Sequence, residues 1–324
     1  MAEWFPWMPE LPEVETVARD LRPLLVGRRI MTCHFSGKKL RLPWRDEWLA
    51  EVCGCQITSL TRRAKWLHLS LKKTGLPHGA GLIVHLGMTG QLTVVQTSAD
   101  HSPKNWRPQD HIHLRMLLLS GVSPEDSLYS ELLYRDARRF GGIHFFANQN
   151  ELDIFYEAHP LGPEPWDCPL VDWVGKLAGT SRRIKTVLLD QKIISGIGNI
   201  YADESLHAAG IHPTRCANSL DQDEAARLLA EASGVMLRAI NNRGSSIRDY
   251  VGGENLRGNH QDYLAVYGRE GLACVRCGGQ IQRLRIGGRS SHFCTVCQRF
   301  RKSPGRKKGD NYKNIVNTRK KDQA

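Results

Sequence analysis

The sequence predicts an α+β protein of more than one domain, and three observations predict it. Between residues 28 and 147 short runs of alternating apolar residues are broken by Gly and Pro, as in antiparallel strands. After a Pro-rich segment, HPLGPEPWDCP, the alternation gives way to helical periodicity. Near the end, four cysteines stand in two close pairs.

The first element is a helix from Pro12 to about Leu25, where Val14, Val17, Leu21, Leu24 and Leu25 recur at helical spacing. Pro12 and Glu13 suit its first turn and Gly27 its stop, while Pro23 is expected to kink or strain the last turn. The strands follow in AKWLHLSLK, with Leu67, Leu69 and Leu71 on one face, then in LIVHLGMTGQLTVV, HIHLRMLLL and GGIHFFA. They predict an N-terminal antiparallel β-sandwich or barrel over residues 8–150. TSRRIKTVLLDQKIISGIGNIYADESLHAAG and DEAARLLAEASGVMLRAINNRG then predict a helical domain from about residue 165 to about residue 258.

With 324 residues, 41% of them hydrophobic, the chain can bury a substantial core. No apolar run is long enough to span a bilayer, and MAEWFPW, acidic at its start, does not read as a secretory signal. These features predict a cytoplasmic protein without a membrane partner. The net charge is +12, and residues 298–324 hold ten Lys/Arg against two Asp, so eight of the twelve positive charges lie there. Residues 299–324 read as a basic, disordered arm suited to solubility or to attracting phosphates. Nine cysteines, five of them scattered (Cys33, Cys53, Cys55, Cys168, Cys216), exclude a regular disulfide framework.

The chemistry-bearing motif most specific by spacing is C-x2-C-x16-C-x2-C, formed by Cys274, Cys277, Cys294 and Cys297. Four thiolates so spaced fit one tetrahedral structural zinc ion, and a module spanning residues 259–298 could hardly hold itself together by burial alone. With every ligand supplied by protein, no position stays open for water, so the metal's part is to hold the segment that presents Arg289. The turn SGIGN before a helical run reads as a phosphate cradle, with backbone N–H groups free at a helix N-terminus. Lys65, Met88, His111, Arg138 and Phe140 sit on or beside turns of the sheet region, and each alone has a plain structural explanation.

Taken together and in order, PELPEVE, RRAK, HLGMTG, DARRFGG, SGIGNIYADE, VYGR and the four-cysteine module resemble the formamidopyrimidine-DNA glycosylase family from Met8 to about Gln298. The resemblance implies a helix-two-turn-helix arrangement for the second domain and a β-hairpin zinc finger for the third. It implies excision of oxidised purines, such as 8-oxoguanine and ring-opened formamidopyrimidines, from double-stranded DNA by a monomer, followed by cleavage at the abasic site. Pro9 would be the nucleophile, Glu10 the proton donor, Lys65 a phosphate contact that assists elimination, and Arg289 the finger arginine. Asn199 and His111 would contact DNA, and Met88, Arg138 and Phe140 would fill the gap left by a flipped nucleotide.

Two departures stand out. Ala137 occupies the place where the family commonly has proline in DARRFGG, and seven residues precede Met8. An amide nitrogen cannot act as an amine nucleophile, so the functional start is expected at Met8, with removal of that methionine freeing Pro9. If residues 1–7 stay attached, the same resemblance implies a DNA-binding protein without catalysis. A pyrimidine-preferring branch of the same fold is the nearest enzymatic alternative; a zinc-ribbon factor of transcription or translation would account for the cysteines but not for MPELPEVE. The Gly-rich GGENLRGNHQDY is a candidate mobile loop over the flipped base.

Overall fold

A computed structural model describes residues 9–97, 108–120, 128–245 and 258–300. Residues 1–8, the first half of GGENLRGNHQDY (residues 252–257) and the basic arm beyond Phe300 lie outside these.

Helix α1 (Leu11–Leu25) leads into an eight-stranded sheet: β1 (Arg29–Phe35), β2 (Gln56–Arg63), β3 (Trp66–Lys72), β4 (Gly81–His85), β5 (Gly90–Gln96), β6 (Ile112–Ser120), β7 (Leu128–Asp136) and β8 (Gly142–Phe146). A single turn of helix, α2 (Trp48–Val52), lies between β1 and β2. The strand order is β5-β7-β6-β1-β2-β3-β4-β8, all pairs antiparallel. The ladder is continuous from β5 to β8 and folds about one core, in keeping with the antiparallel sandwich or barrel that the strand pattern predicts. Leu67 and Leu69 of β3, Val84 of β4, Met116 of β6 and Leu132 of β7 meet in that core with Val14, Val17 and Leu21 of α1. The alternation read in β3 holds, since Leu67, Leu69 and Leu71 are buried.

Helix α1 continues through Pro23 to Leu25. Only the final turn lacks the N–H that proline cannot supply, and this turn lies at the surface, where water can replace the bond.

The linker from α3 (Gln149–Ala158) leads to α4 (Leu170–Ala178), α5 (Ile184–Leu188), α6 (Asn199–Ala208) and α7 (Gln222–Asn241). These helices close a second core around Trp173, Tyr201, Leu206, Leu228 and Met236. Leu11, the first residue of α1, belongs to this second core, whereas Val14 and its successors belong to the first. One helix is thus rooted in both domains. A final hairpin, β9 (Ile281–Ile286) and β10 (Arg289–Cys294), turns at Gly287–Gly288 and packs on α6.

The hairpin is held by two buried charges. Asp203 on α6 pairs with Lys185 at 2.7 Å, both side chains fully buried, and accepts the His292 N–H at 2.8 Å. Lys185 in turn donates to the Ser290 carbonyl at 2.6 Å, next to Arg289. A paired, hydrogen-bonded charge is the form in which burial is tolerated. Among the described residues, no helix is long and apolar enough to cross a membrane.

Candidate active site

The site begins at the point where α1 crosses from one core to the other. Glu10, 2% exposed, caps α1 through its own N–H, which donates to Glu13 Oε2 at 2.9 Å. Its carboxylate turns the other way, to the start of α6, and accepts N–H bonds from Gly198 at 2.6 Å, Ile200 at 2.8 Å and Tyr201 at 3.4 Å. A carboxylate at a helix N-terminus satisfies orphan donors and suits the dipole. It also corrects the phosphate-cradle reading of SGIGN: these three N–H groups are engaged by Glu10. The glycine is needed for the approach, since a Cβ on Gly198 would lie 2.3 Å from Glu10 Cδ.

Burial pushes the Glu10 carboxyl upward against Lys65 and the three N–H donors, which pull it back. Glu13 is pushed up to about 7, first by burial and then by the Glu10 charge, although Tyr201 O–H and Ser245 N–H both donate to it. Half-buried Lys65 lies in the two-residue turn between β2 and β3, and its Nζ donates to the Ile197 carbonyl at 3.0 Å. Burial lowers its ammonium, Glu10 opposes that, and Arg289 adds to it. The result is a compact set of two acids and one amine whose proton affinities have moved toward each other, the condition for proton traffic near neutral pH. Pro9 is buried immediately before Glu10.

A cleft of about 840 Å³ opens over this set and is lined by Glu10 and Lys65. On the sheet side stand His85, Met88 and Phe140; on the helical side Asn199 and Tyr267; at the hairpin tip, exposed Arg289. Arg41 and Lys192 add positive charge to the wall. Asn199 Nδ2 reaches Tyr267 Oη at 3.5 Å, and its buried Oδ1 has no partner among the described residues.

Arg138 is exposed beside the cleft, with its guanidinium 4.6 Å from the centre of the Phe140 ring, itself 42% exposed. This is cation–π distance. His111 stands just before β6, away from the cleft lining, with φ 54°.

Three groups that the sequence reading did not single out complete the geometry. Asp136, fully buried, accepts from Thr89 Oγ1 at 2.5 Å, Gly141 N–H at 2.8 Å and Arg138 N–H at 3.2 Å, and so fixes the turns that carry Met88 and Phe140. His85 accepts the Gly87 N–H on Nδ1 at 3.0 Å. Burial lowers its pKa to about 4, so the ring is neutral at pH 7 and its proton resides on Nε2, a donor on the cleft wall. Tyr267 is held by Glu204, whose carboxylate accepts the N–H groups of Ala265, Val266 and Tyr267 at 2.8–2.9 Å. An aspartate ending a strand before a Gly-rich turn was the one available signal for Asp136.

The sulfurs of Cys274, Cys277, Cys294 and Cys297 all lie within 4.8 Å of one another. Tetrahedral thiolate ligands about 2.3 Å from a metal stand about 3.8 Å apart, which this group matches. The N–H groups of Gly279 and Cys297 each approach a sulfur at 3.4 Å, as suits thiolates. All nine cysteines are free of disulfides.

A sheet domain, a helical domain and a thiol-bearing hairpin that converge on one cationic cleft define a nucleic-acid-type binding enzyme with its proton-transfer groups at the domain junction. Family models match each part: residues 8–143 to the formamidopyrimidine-DNA glycosylase N-terminal domain, 161–251 to the H2TH domain of that enzyme, and 271–299 to a zinc finger found in FPG and IleRS. A formamidopyrimidine-DNA glycosylase of Laribacter hongkongensis is 38% identical over 298 residues, covering 90% of this chain and all of the relative. One of Moorella thermoacetica is 42% identical over 285 residues, covering 86% of this chain and 95% of the relative. Among solved structures, Lactococcus lactis Fpg bound to DNA containing an abasic site superposes with TM-score 0.77 at 32% identity, over 90% of this chain and 100% of that one. The same enzyme with DNA containing N7-benzyl-Fapy-dG gives TM-score 0.77 at 33% identity, with the same coverage. The chain belongs to the formamidopyrimidine-DNA glycosylase family.

Proposed function

We propose that this DNA glycosylase of base-excision repair removes oxidised purines through a Schiff base on Pro9 and then cleaves the strand by β- and δ-elimination. The observation that carries the reading is that Glu10, which directly follows Pro9, and Lys65 bind the adjacent residues Gly198 and Ile197 and both line one cationic cleft.

Freed of the residues before it, Pro9 is a secondary α-amine with an ordinary pKa of about 7.7–8, lowered further beside a helix N-terminus. Its lone pair attacks C1′ of the damaged nucleotide, and the bond to the base breaks. Glu10, its pKa raised by burial, supplies a proton as the sugar ring opens. The iminium ion is an electron sink that acidifies C2′–H, so the 3′ phosphate leaves, and a second elimination releases the 5′ phosphate. Lys65 and Arg289 stand by the phosphates and stabilise these departures; Asn199, Tyr267 and His85 add neutral donors.

The lesion reaches C1′ chemistry only when turned out of the stack. Met88 and Phe140, side by side on turns fixed by Asp136, suit the vacated space, and Arg138 the orphaned partner base. His111 serves as a more distant DNA contact. Cys274, Cys277, Cys294 and Cys297 would hold one zinc ion, which keeps the hairpin folded and takes no part in the reaction.

Borohydride trapping on an 8-oxoguanine duplex tests the reading. A chain beginning at Pro9 forms a covalent adduct, and Pro9→Gly or a chain retaining residues 1–8 loses it. Binding without any adduct in the Pro9-started chain would make the protein a damage-binding module, and an adduct on the extended chain would remove Pro9 from the role.

A further inference from the structure

The turn that carries Lys65 is held in an unusual way. Arg63 and Trp66 close the β2–β3 hairpin, leaving Ala64 and Lys65 as its two turn residues. Ala64 is fully buried and sits at φ 51°, the left-handed region that alanine seldom adopts. Both polar groups of this residue are occupied. Its N–H donates to Glu164 Oε1 at 2.7 Å, and its carbonyl accepts from Arg62 Nη1 at 3.2 Å. Arg62 is itself gripped by Glu164, through Nη1 at 2.7 Å and Nη2 at 3.1 Å, and by Glu15 of α1 through Nε at 2.7 Å.

Glu164, 5% exposed, comes from the Pro-rich linker, a hundred residues further along the chain. That linker also fixes the far end of the lysine. Gly162 N–H donates to the Gln191 carbonyl at 2.8 Å, and Ser195 N–H donates to the Pro163 carbonyl at 2.9 Å. Gln191 reaches back with its side-chain amide to the Ile197 carbonyl at 2.8 Å, the same oxygen that receives Lys65 Nζ. The root and the tip of Lys65 are therefore both referenced to three consecutive linker residues, 162–164.

We propose that Glu164 is a positioning residue for the elimination step: through the Ala64 peptide it sets where the Lys65 ammonium stands relative to Glu10 and the sugar. The assignment rests on the reading of Lys65 as the ammonium that assists elimination. A carboxylate that only joined the two domains would need Arg62 alone; the bond to Ala64 N–H extends its grip to the turn that projects the lysine.

A double-mutant cycle on the Pro9-started protein tests it, with single-turnover cleavage of an abasic-site duplex as the rate and duplex Kd measured alongside. Glu164→Gln is expected to slow cleavage about tenfold or more while Kd stays within about twofold, as misplacement of a reacting group does. In a Lys65→Ala background the same change is expected to slow cleavage by less than about twofold, because coupled residues are not additive. Glu15→Gln removes the other carboxylate from Arg62 and leaves Ala64 pinned, so it is expected to lower Tm without coupling to Lys65. If Glu164→Gln does not yield folded protein, Glu164→Asp, which draws the carboxylate back by one methylene, enters the same cycle. Equal slowing in both backgrounds, or no slowing in the parent, overturns the positioning role. Lys65→Ala cleaving at the parent rate would instead overturn the reading of Lys65, and that single variant reports it separately.

Discussion

The Glu10 carboxylate accepts the Gly198 N–H at 2.6 Å, across the boundary between the sheet domain and the helical domain. The acid proposed to move a proton is at the same time the cap of another domain's helix, so its position is set by the fold and not by a loop.

Gly198→Ala tests this arrangement. The added methyl would lie within 2.5 Å of both Cδ and Oε1 of Glu10, so the carboxylate must shift from the helix terminus. Borohydride trapping is expected to fall by about 100-fold or more as the carboxylate is displaced. Retention of parent activity with an unchanged Tm would show that Glu10 need not sit where it does.

The Glu13 carboxyl, raised to about 7 in the folded protein, gives a pH signature. Its unfolded value is near 4.5, so between pH 4.5 and 7 the folded state holds more of the proton than the unfolded state. The stability it contributes is complete below pH 4.5 and is lost as pH rises through about 7. Glu13→Gln, isosteric and always neutral, is expected to gain on the parent over that window, by on the order of 1–3 kcal/mol. Denaturant melts at pH 5 and pH 8 measure it, and a difference between the two proteins that does not change with pH contradicts the burial argument. Glu10, which also rises through burial and repels Glu13, moves the parent in the same direction.

Asp136→Asn replaces an acceptor of four hydrogen bonds with a group that turns donors toward Thr89, Tyr134, Gly141 or Arg138. A loss of about 1–3 kcal/mol in stability is expected from the unsatisfied buried donors. Because the turns carrying Met88 and Phe140 loosen, excision from duplex DNA is expected to drop more than cleavage of a single-stranded abasic oligonucleotide, where no gap must be filled. Equal losses on the two substrates would detach Asp136 from base flipping.

Removal of metal is expected to unfold the hairpin and not the remainder. The purified protein is expected to carry one zinc per chain, and chelation to weaken duplex binding by at least about tenfold through loss of the Arg289 presentation. Circular dichroism of the two larger cores is expected to stay near its starting value. Full binding after complete chelation would leave the four thiols without a structural part.

Much of this architecture was legible in the residues. Helical spacing marked α1, alternation marked β3, and the spacing of the cysteines marked the thiol cluster, because each is a local regularity that the chain repeats. What depends on distant partners was not legible. SGIGN read as a phosphate cradle because nothing near it in sequence announces that Glu10, 188 residues earlier, will take its N–H groups. Strand periodicity marked which side chains face inward but not which strands pair, so the order β5-β7-β6-β1-β2-β3-β4-β8 was not legible. His85 and Tyr267 stood inside HLGMTG and VYGR without a role of their own, because a lone histidine or tyrosine carries no pattern.

Helix α1 begins in one hydrophobic core with Leu11 and continues in the other from Val14. Synthesised as two separate polypeptides, the halves would each bury most of their own apolar surface and yet remain inert, for the carboxylate would arrive with one fragment and its helix terminus with the other. Only reassembly of the pair would restore activity, which makes the seam between them the true birthplace of the reaction centre.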